Sequence, residues 1–147
     1  WVVYTVIEQL KGLEIHLFVR TITIAANISD SLLGYYLNLY VSSPLYDRIQ
    51  HIFGTYALAL FCYAVITNTF RYTITSRWMR YFFVIALGIG VGAVYEIFEF
   101  IADLLMKPQI PNQPSLLDTD LDLVSDLIGA FIAGIHAFYT DFGYRRQ

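Results

Sequence analysis

Long apolar stretches with almost no charge dominate the pattern of this chain. No Lys, Arg, Asp or Glu occurs within residues 49–70, 81–95 or 127–140. A helix needs about 20 mostly apolar residues to cross a bilayer. The pattern therefore predicts three membrane-spanning helices, over about 48–70, 78–104 and 118–140.

An earlier segment, about 13–40, is predicted as a fourth span that polar and charged residues interrupt. Because of these residues, we expect this helix to be buried against other helices or a partner. The interrupting residues are Glu14, Arg20, Asn27 and Asp30. Residues 1–7 resemble the end of a fifth span, and a first residue that is not Met predicts a processed or truncated chain. The predicted fold is an all-α transmembrane helical bundle, a single integral membrane domain over residues 1–147.

The composition excludes several other classes of protein. Of 147 residues, 57% are hydrophobic and 14% are charged, and the mean hydropathy is +0.55; soluble domains contain about 25% charged residues. A single cysteine, Cys62, excludes a disulfide scaffold within the chain. Nine basic residues against twelve acidic ones disfavour nucleic-acid binding. The predicted surroundings are a lipid bilayer and other membrane protein subunits.

The basic residues predict how the helices are oriented, since Lys and Arg are enriched in cytoplasmic loops. Six of them lie at the ends that we assign to the cytoplasm: Lys11, Arg71, Arg77, Arg80, Arg145 and Arg146. This predicts a multi-pass protein of the plasma membrane with a cytoplasmic C-terminus. Nine of the twelve acidic residues then fall at outer helix ends, namely Asp30, Asp47, Glu96, Glu99, Asp103, Asp118, Asp120, Asp122 and Asp126.

Some of these carboxylates are predicted to lie within the membrane. The charge-free parts of the last two helices are only about 22 and 21 Å long, whereas the hydrocarbon core is about 30 Å thick. Each helix must continue through its acidic end, which places Glu96 and Asp126 at membrane depth and Glu99 and Asp122 near its edge. A charged carboxylate there costs about 2.5–3.5 kcal/mol unless it faces partners inside the bundle.

Helical spacing aligns the acidic side chains on three predicted helices. The aligned sets are Asp47 with His51, Glu96 with Glu99 and Asp103, and Asp118 with Asp122 and Asp126. The sequence therefore predicts that carboxylates and one imidazole meet at the outer end of the bundle. So many negative charges must bind a cation, hold protons, or pair with Arg48 or Arg20.

Three sequence motifs carry a resemblance to a known family. They are LYDRIQHIFG (45–54), GAVYEIFEF (92–100) and DTDLDLVSDLIGA (118–130). Within about 33–130 the chain resembles the YjdF-like family of small bacterial and archaeal membrane proteins and, more distantly, the VanZ-like domain. The matching positions are Asp47, Arg48, His51, Glu96, Glu99, Asp118, Asp122, Asp126 and Gly129. The family usually has Asp at the position of Ser115, so either Asp120 substitutes for that aspartate or one ligand is missing. The family also favours Trp at the position of Phe100. The resemblance implies a shared bundle and no established activity.

The acidic cluster has two interpretations. In the first, carboxylates and an imidazole from facing helices bind a divalent metal ion, which the mostly oxygen ligands indicate to be Zn, Fe, Mn or Mg. Its candidate ligands are Asp47, His51, Glu96, Glu99, Asp118, Asp122 and Asp126. In the second, the cluster is a hydrogen-bonded polar core with some acids protonated and others paired with Arg48. Asp47 is interpreted equally well as a helix N-cap after Pro44, and Asp118 as a first-turn acid.

The remaining motifs are structural in our interpretation. Gly88 and Gly92, and Gly129 with Ala133 and Gly134, are typical of close helix contacts in membranes. The proline-containing loop 107–117 is predicted to be an extended external cap over the acidic outer end of the bundle. We favour a plain linker, and a lid or a docking segment for a partner are the alternatives.

These features favour a non-enzymatic accessory or structural subunit of a larger membrane complex. One alternative is a metal-dependent hydrolase or transferase acting on a lipid or phosphate headgroup at the outer leaflet. The other is a component of proton or cation transport.

Overall fold

The structure, a computed structural model, describes residues 13–43 and 45–144. In these residues it contains helices and no strand. The elements are α1 (Leu17–Ile28), a π-helical segment (Ser29–Tyr36), α2 (Leu39–Ser42), α3 (Tyr46–Thr69), α4 (Arg77–Met106) and α5 (Leu116–Tyr139). The predicted fifth-span fragment over 1–7 lies outside the described residues, as do Lys11, Pro44, Arg145 and Arg146.

Three helices of the described chain, α3, α4 and α5, are long and apolar enough to cross a membrane. They coincide with the three charge-poor stretches of the sequence. Ser76 and Ser115 begin α4 and α5, because each side chain accepts a hydrogen bond from the backbone N–H three residues later, at 3.3 and 3.1 Å. These caps satisfy backbone donors that would otherwise lack a partner.

The segment predicted as a fourth span, 13–40, is not one continuous α-helix. After α1 the backbone widens into the π-helical segment and then breaks at Asn38, whose φ is 59°. At Gly34 the ring of Tyr40 lies so close that it would clash with a Cβ. The break therefore has a steric cause, a small residue that lets the chain fold back on itself. A fourth span stays a prediction.

Small residues bring α3, α4 and α5 close together in the middle of the bundle. A Cβ placed on Gly88 of α4 would lie 2.5 Å from the Cβ of Ala130 on α5 and 3.3 Å from that of Ala59 on α3. Both alanines are fully buried. Larger buried side chains, such as Leu60 and Tyr63, fill another part of the core. The glycine motif is thus a packing element, as the sequence predicted.

The two ends of the bundle differ in charge. Because consecutive long helices are antiparallel, the start of α3, the end of α4 and the start of α5 meet at one end, which we call the acidic end. At the opposite end Arg80 is buried and donates to the Asp141 carboxylate at 2.8 Å, and to the Ala137 and Phe138 carbonyls. The Tyr63 hydroxyl donates to the same carboxylate at 2.9 Å. These contacts join α3, α4 and the segment after α5.

We expect Gly88→Ala to lower the free energy of unfolding by about 1–3 kcal/mol, because the added methyl group must push α4 away from α5. Gly90→Ala is the matched control, since no atom lies within 4 Å of its Cβ position. It should be neutral or stabilise by up to about 1 kcal/mol. Thermal unfolding in detergent micelles measures both, and equal effects would contradict the packing role of Gly88.

Candidate functional site

The acidic end brings together polar side chains from three helices. The first turns of α3 contribute Asp47, Arg48 and His51, α5 contributes its stripe of aspartates, and α4 contributes Glu96. Asp122, Asp126 and Glu96 are only 1%, 3% and 5% exposed, and His51 is 7% exposed. The spacing that aligned these residues in the sequence thus places them inside the bundle.

Arg48 pairs with three of the carboxylates. Its guanidinium donates to Asp118 and to Asp122 on α5, and to its neighbour Asp47 at 2.8 Å. The two pairs to α5 tie that helix to α3. They also occupy the guanidinium, whose single positive charge can offset only one of the three carboxylate charges.

His51 lies one turn deeper, between two pairs of carboxylates. Its Nδ1 is 3.2 Å from Asp126 Oδ1 and 3.7 Å from Glu96 Oε1. Its Nε2 is 3.6 Å from Asp47 Oδ1 and 3.7 Å from Asp122 Oδ1. An imidazole can bind an ion with one nitrogen while the other donates to a carboxylate, and that hydrogen bond fixes the ring's tautomer and orientation.

Two oxygens in this deeper part are buried without a hydrogen-bond partner among the described residues: Glu96 Oε1 and Asp126 Oδ2. The other oxygen of Asp126 accepts from Thr55 at 2.5 Å. Carboxylate oxygens only accept hydrogen bonds when ionised, so two adjacent carboxylates cannot satisfy each other. This arrangement requires a proton or a cation.

Two groups of side chains have a geometry that can hold a metal ion. One consists of Asp47, His51 and Asp122, and the other of His51, Glu96 and Asp126. Within each group the ligand atoms lie within 4.8 Å of one another. Only the second group contains the unpartnered oxygens, since Asp47 and Asp122 are held by Arg48.

The loop between α4 and α5 folds over this site. The Gln113 amide donates to the Glu96 side chain and to its backbone carbonyl, both at 2.9 Å. Asp103 holds the loop in place by accepting from the Asn112 and Gln113 backbone N–H groups, both at 2.9 Å, and from the Asn112 side chain at 2.7 Å. These contacts agree with the predicted cap over the acidic end, because a residue of the loop contacts a candidate ligand directly.

Comparison with known proteins agrees with a membrane location. A family model described as predicted membrane protein (DUF2238) matches residues 2–141. The chain belongs to the DUF2238 family. A Thermotoga maritima protein described as uncharacterized is 29% identical over 128 residues, which are 86% of this chain and 65% of that relative. The DUF2238 chain thus spans less than two thirds of the relative's length. No solved structure matches it. The YjdF-like and VanZ-like resemblances stay predictions.

Several predicted site residues of the DUF2238 chain lie elsewhere than expected. Glu99 is half-buried and belongs to neither ion-holding group. Asp120 is exposed and does not replace the aspartate expected at Ser115, which instead caps α5. Asp47 is not an N-cap, because α3 already begins at Tyr46. Arg20 lines a cavity with Glu14 and Asp141 at the opposite end, so it does not neutralise this cluster.

Two contacts of the site escaped the sequence analysis. Thr55 lies four residues after His51, so it extends the stripe of Asp47 and His51 by one turn. That four-residue spacing could have identified Thr55 from the sequence. No spacing could have identified Gln113, because a loop residue reaches its partner only through the path of the folded backbone.

We expect Arg48→Gln to lower the free energy of unfolding by about 3 kcal/mol or more, because it leaves buried carboxylates without a counter-charge. The exposed Arg77 provides the control. Arg77→Gln removes the same charge and should change stability by less than about 0.5 kcal/mol. Thermal unfolding in micelles measures both. Similar losses in the two variants would show that Arg48 does not hold α3 to α5.

We expect Asp103→Asn to loosen the loop, because it weakens three hydrogen bonds to one carboxylate. Hydrogen bonds to charged groups are worth about 1.5–3 kcal/mol. Hydrogen exchange of the Asn112 and Gln113 amides should therefore accelerate about tenfold or more, whereas Asp120→Asn should leave it unchanged. Unchanged exchange in Asp103→Asn would mean that other contacts hold the loop.

Proposed function

We propose that this membrane protein binds a divalent cation through His51, Glu96 and Asp126. The ion then ties α3, α4 and α5 together at the acidic end. In this proposal the ion's role is structural, and it suits an accessory or structural subunit of a larger membrane complex.

The observation that carries the proposal is the pair of buried oxygens, Glu96 Oε1 and Asp126 Oδ2, that have no partner among the described residues. An unsatisfied buried polar group costs about 1–3 kcal/mol, and more when it is charged. A divalent cation would neutralise both carboxylates at once and satisfy both oxygens.

The surrounding contacts favour this position over the neighbouring group. Asp122 Oδ1 and Asp47 Oδ2 already accept from Arg48, so the Nε2 side of His51 has fewer oxygens to offer. With Nε2–H directed at the Asp47 carboxylate, Nδ1 is the nitrogen left to bind the ion. Of the seven ligands that the sequence proposed, we therefore retain three and assign Asp47 to orient the imidazole.

The ligand types limit the metal. Two carboxylates and one imidazole suit Zn, Fe, Mn or Mg, whereas thiolate-seeking metals have no ligand here. Three protein ligands also leave coordination positions for water or a further ligand.

A catalytic role for the ion is a second candidate because a cavity of about 110 Å³ reaches His51 and Asp126. It would admit a substrate to the ion, as a hydrolase or transferase requires. Among the described residues no Lys or Arg lines this cavity. This lining disfavours a phosphate headgroup as the substrate, so the structural role remains the better supported one.

Elemental analysis of the purified protein tests the metal site. We expect about one equivalent of a transition metal in the wild type after metal-replete expression, and its loss in Glu96→Gln/Asp126→Asn. Adding metal at about 100 times its Kd should stabilise the wild type by about 2.7 kcal/mol, and the double variant much less.

Asp120→Asn is the control for the loss of a carboxylate at the acidic end. Asp118→Asn tests whether a carboxylate that pairs with Arg48 is also needed for metal binding. Both should retain the metal, because the first residue is exposed and the second pairs with Arg48. If neither wild type nor variants contain or respond to metal, the carboxylates form a protonated polar core instead. Tight metal that resists chelation supports the structural role, whereas readily exchanged metal supports catalysis.

A further inference from the structure

A cavity beside the proposed ion site is lined mostly by residues that are not among the proposed metal ligands. Asn27 and Asp30 line it from α1 and the π-helical segment, Gln50 from α3, and Tyr95 from α4. Asp126, only 3% exposed and with Oδ2 unpartnered, also lines it. Most of the lining is apolar, and of the three proposed ligands it includes His51 and Asp126 but not Glu96.

Some of the hydrogen-bond donors of its walls are used within the protein. The amide of Asn27 donates to the Thr23 carbonyl at 2.8 Å, and that of Gln50 donates to the Ala26 carbonyl at 3.0 Å. The hydroxyl of Thr55 donates to Asp126. Each amide keeps a second N–H, so hydrogen bonding alone does not select the ligand, and the charge of the lining must do so.

Asp30 supplies a negative charge away from the proposed metal ligands. Its carboxylate accepts from the Tyr40 hydroxyl at 2.7 Å. No basic side chain of the described residues lies within ion-pair distance of it. Asp30 sits in the first turn of the π-helical segment, and such widened turns are frequent at functional sites.

Aromatic rings surround this carboxylate. Tyr40 packs edge-to-face against Tyr35 and Tyr46, with ring centroids 5.2 and 5.1 Å apart. Tyr95 lines the cavity from α4. Ring faces attract organic cations but give a metal ion no lone pair to bind. A carboxylate, tyrosine rings and a mostly apolar lining together therefore match an organic ammonium group better than an anion or a bare metal ion.

We propose that this cavity binds an organic ammonium group, held by the Asp30 carboxylate and the rings of Tyr40 and Tyr95. The group belongs either to a small free amine or to the headgroup of a lipid. This inference goes beyond the proposed metal function and does not require it, because Asp30 is not among the metal ligands.

Calorimetric titration of the full chain in dodecyl maltoside micelles tests the site with choline as the probe. Choline should bind, whereas its uncharged carbon analogue 3,3-dimethylbutan-1-ol should bind about tenfold more weakly or not at all. Asp30→Asn should weaken choline binding about tenfold or more. Asp120→Asn, which removes an exposed carboxylate at the same end, should leave it unchanged.

Tyr40→Phe keeps the ring and removes the hydrogen bond to Asp30, so it should retain most of the affinity, whereas Tyr40→Leu should lose it. Equal binding of choline and its analogue, or full affinity in Asp30→Asn, would overturn the proposal. Absence of choline binding to a folded wild type, as judged by circular dichroism, would overturn it too.

Metal loading separates this proposal from the metal site. A bound ion would neutralise Asp126, so protein expressed without added metal and shown to be metal-free by elemental analysis should bind choline at least as tightly as metal-loaded protein. Binding that needs the metal would overturn the proposal. Where elemental analysis finds no metal, the same titration still decides the ammonium site.

Native mass spectrometry distinguishes the two sources of the ammonium group. A retained lipid with an amine headgroup, displaced by choline and absent from Asp30→Asn, supports a lipid source. Choline binding without such a lipid supports a free amine. Retention of anionic lipids instead, independent of Asp30, would contradict an ammonium site.

Discussion

The ion pairs of Arg48 with the aspartates of α5 determine the arrangement of the acidic end. One guanidinium on α3 holds Asp118 and Asp122, which lie one turn apart on α5. These contacts fix the register of the two helices. With that register set, the next turn of α3 places His51 opposite the next aspartate of α5, Asp126. The geometry of the deeper site thus follows from the ion pairs that Arg48 forms with α5.

This arrangement divides the cluster into carboxylates that pair with Arg48 and deeper carboxylates that do not. Polar groups at membrane depth are tolerated when they pair inside the bundle, and the Arg48 part meets that condition. Glu96 and Asp126 do not meet it with protein groups alone. In the proposed function, the deeper carboxylates and His51 bind the ion, and the carboxylates that pair with Arg48 hold α5 to α3.

Much of this arrangement was predictable from the sequence, because it depends on two periodic signals. Charge-free length predicted the three long helices, and the four-residue spacing of the α5 aspartates predicted that they share a face. Alternating helix directions then brought the acidic ends together. The small-residue pattern around Gly88 predicted the close approach of α4 to α5 and α3.

The pairing of individual side chains in the site, and the cavity beside it, depend on where side chains and backbone turns point in three dimensions. Periodicity could not tell which acids Arg48 would pair with, because it gives the face of each helix and not the register between helices. A hydropathy pattern also does not record the π-helical segment at Asp30, the positive φ of Asn38 or the close approach of Tyr40 to Gly34. Asp30 belongs to neither of the groups that can hold a metal ion. The cavity therefore has a negative charge of its own, with aromatic rings around it, beside a site where an ion would neutralise the other carboxylates.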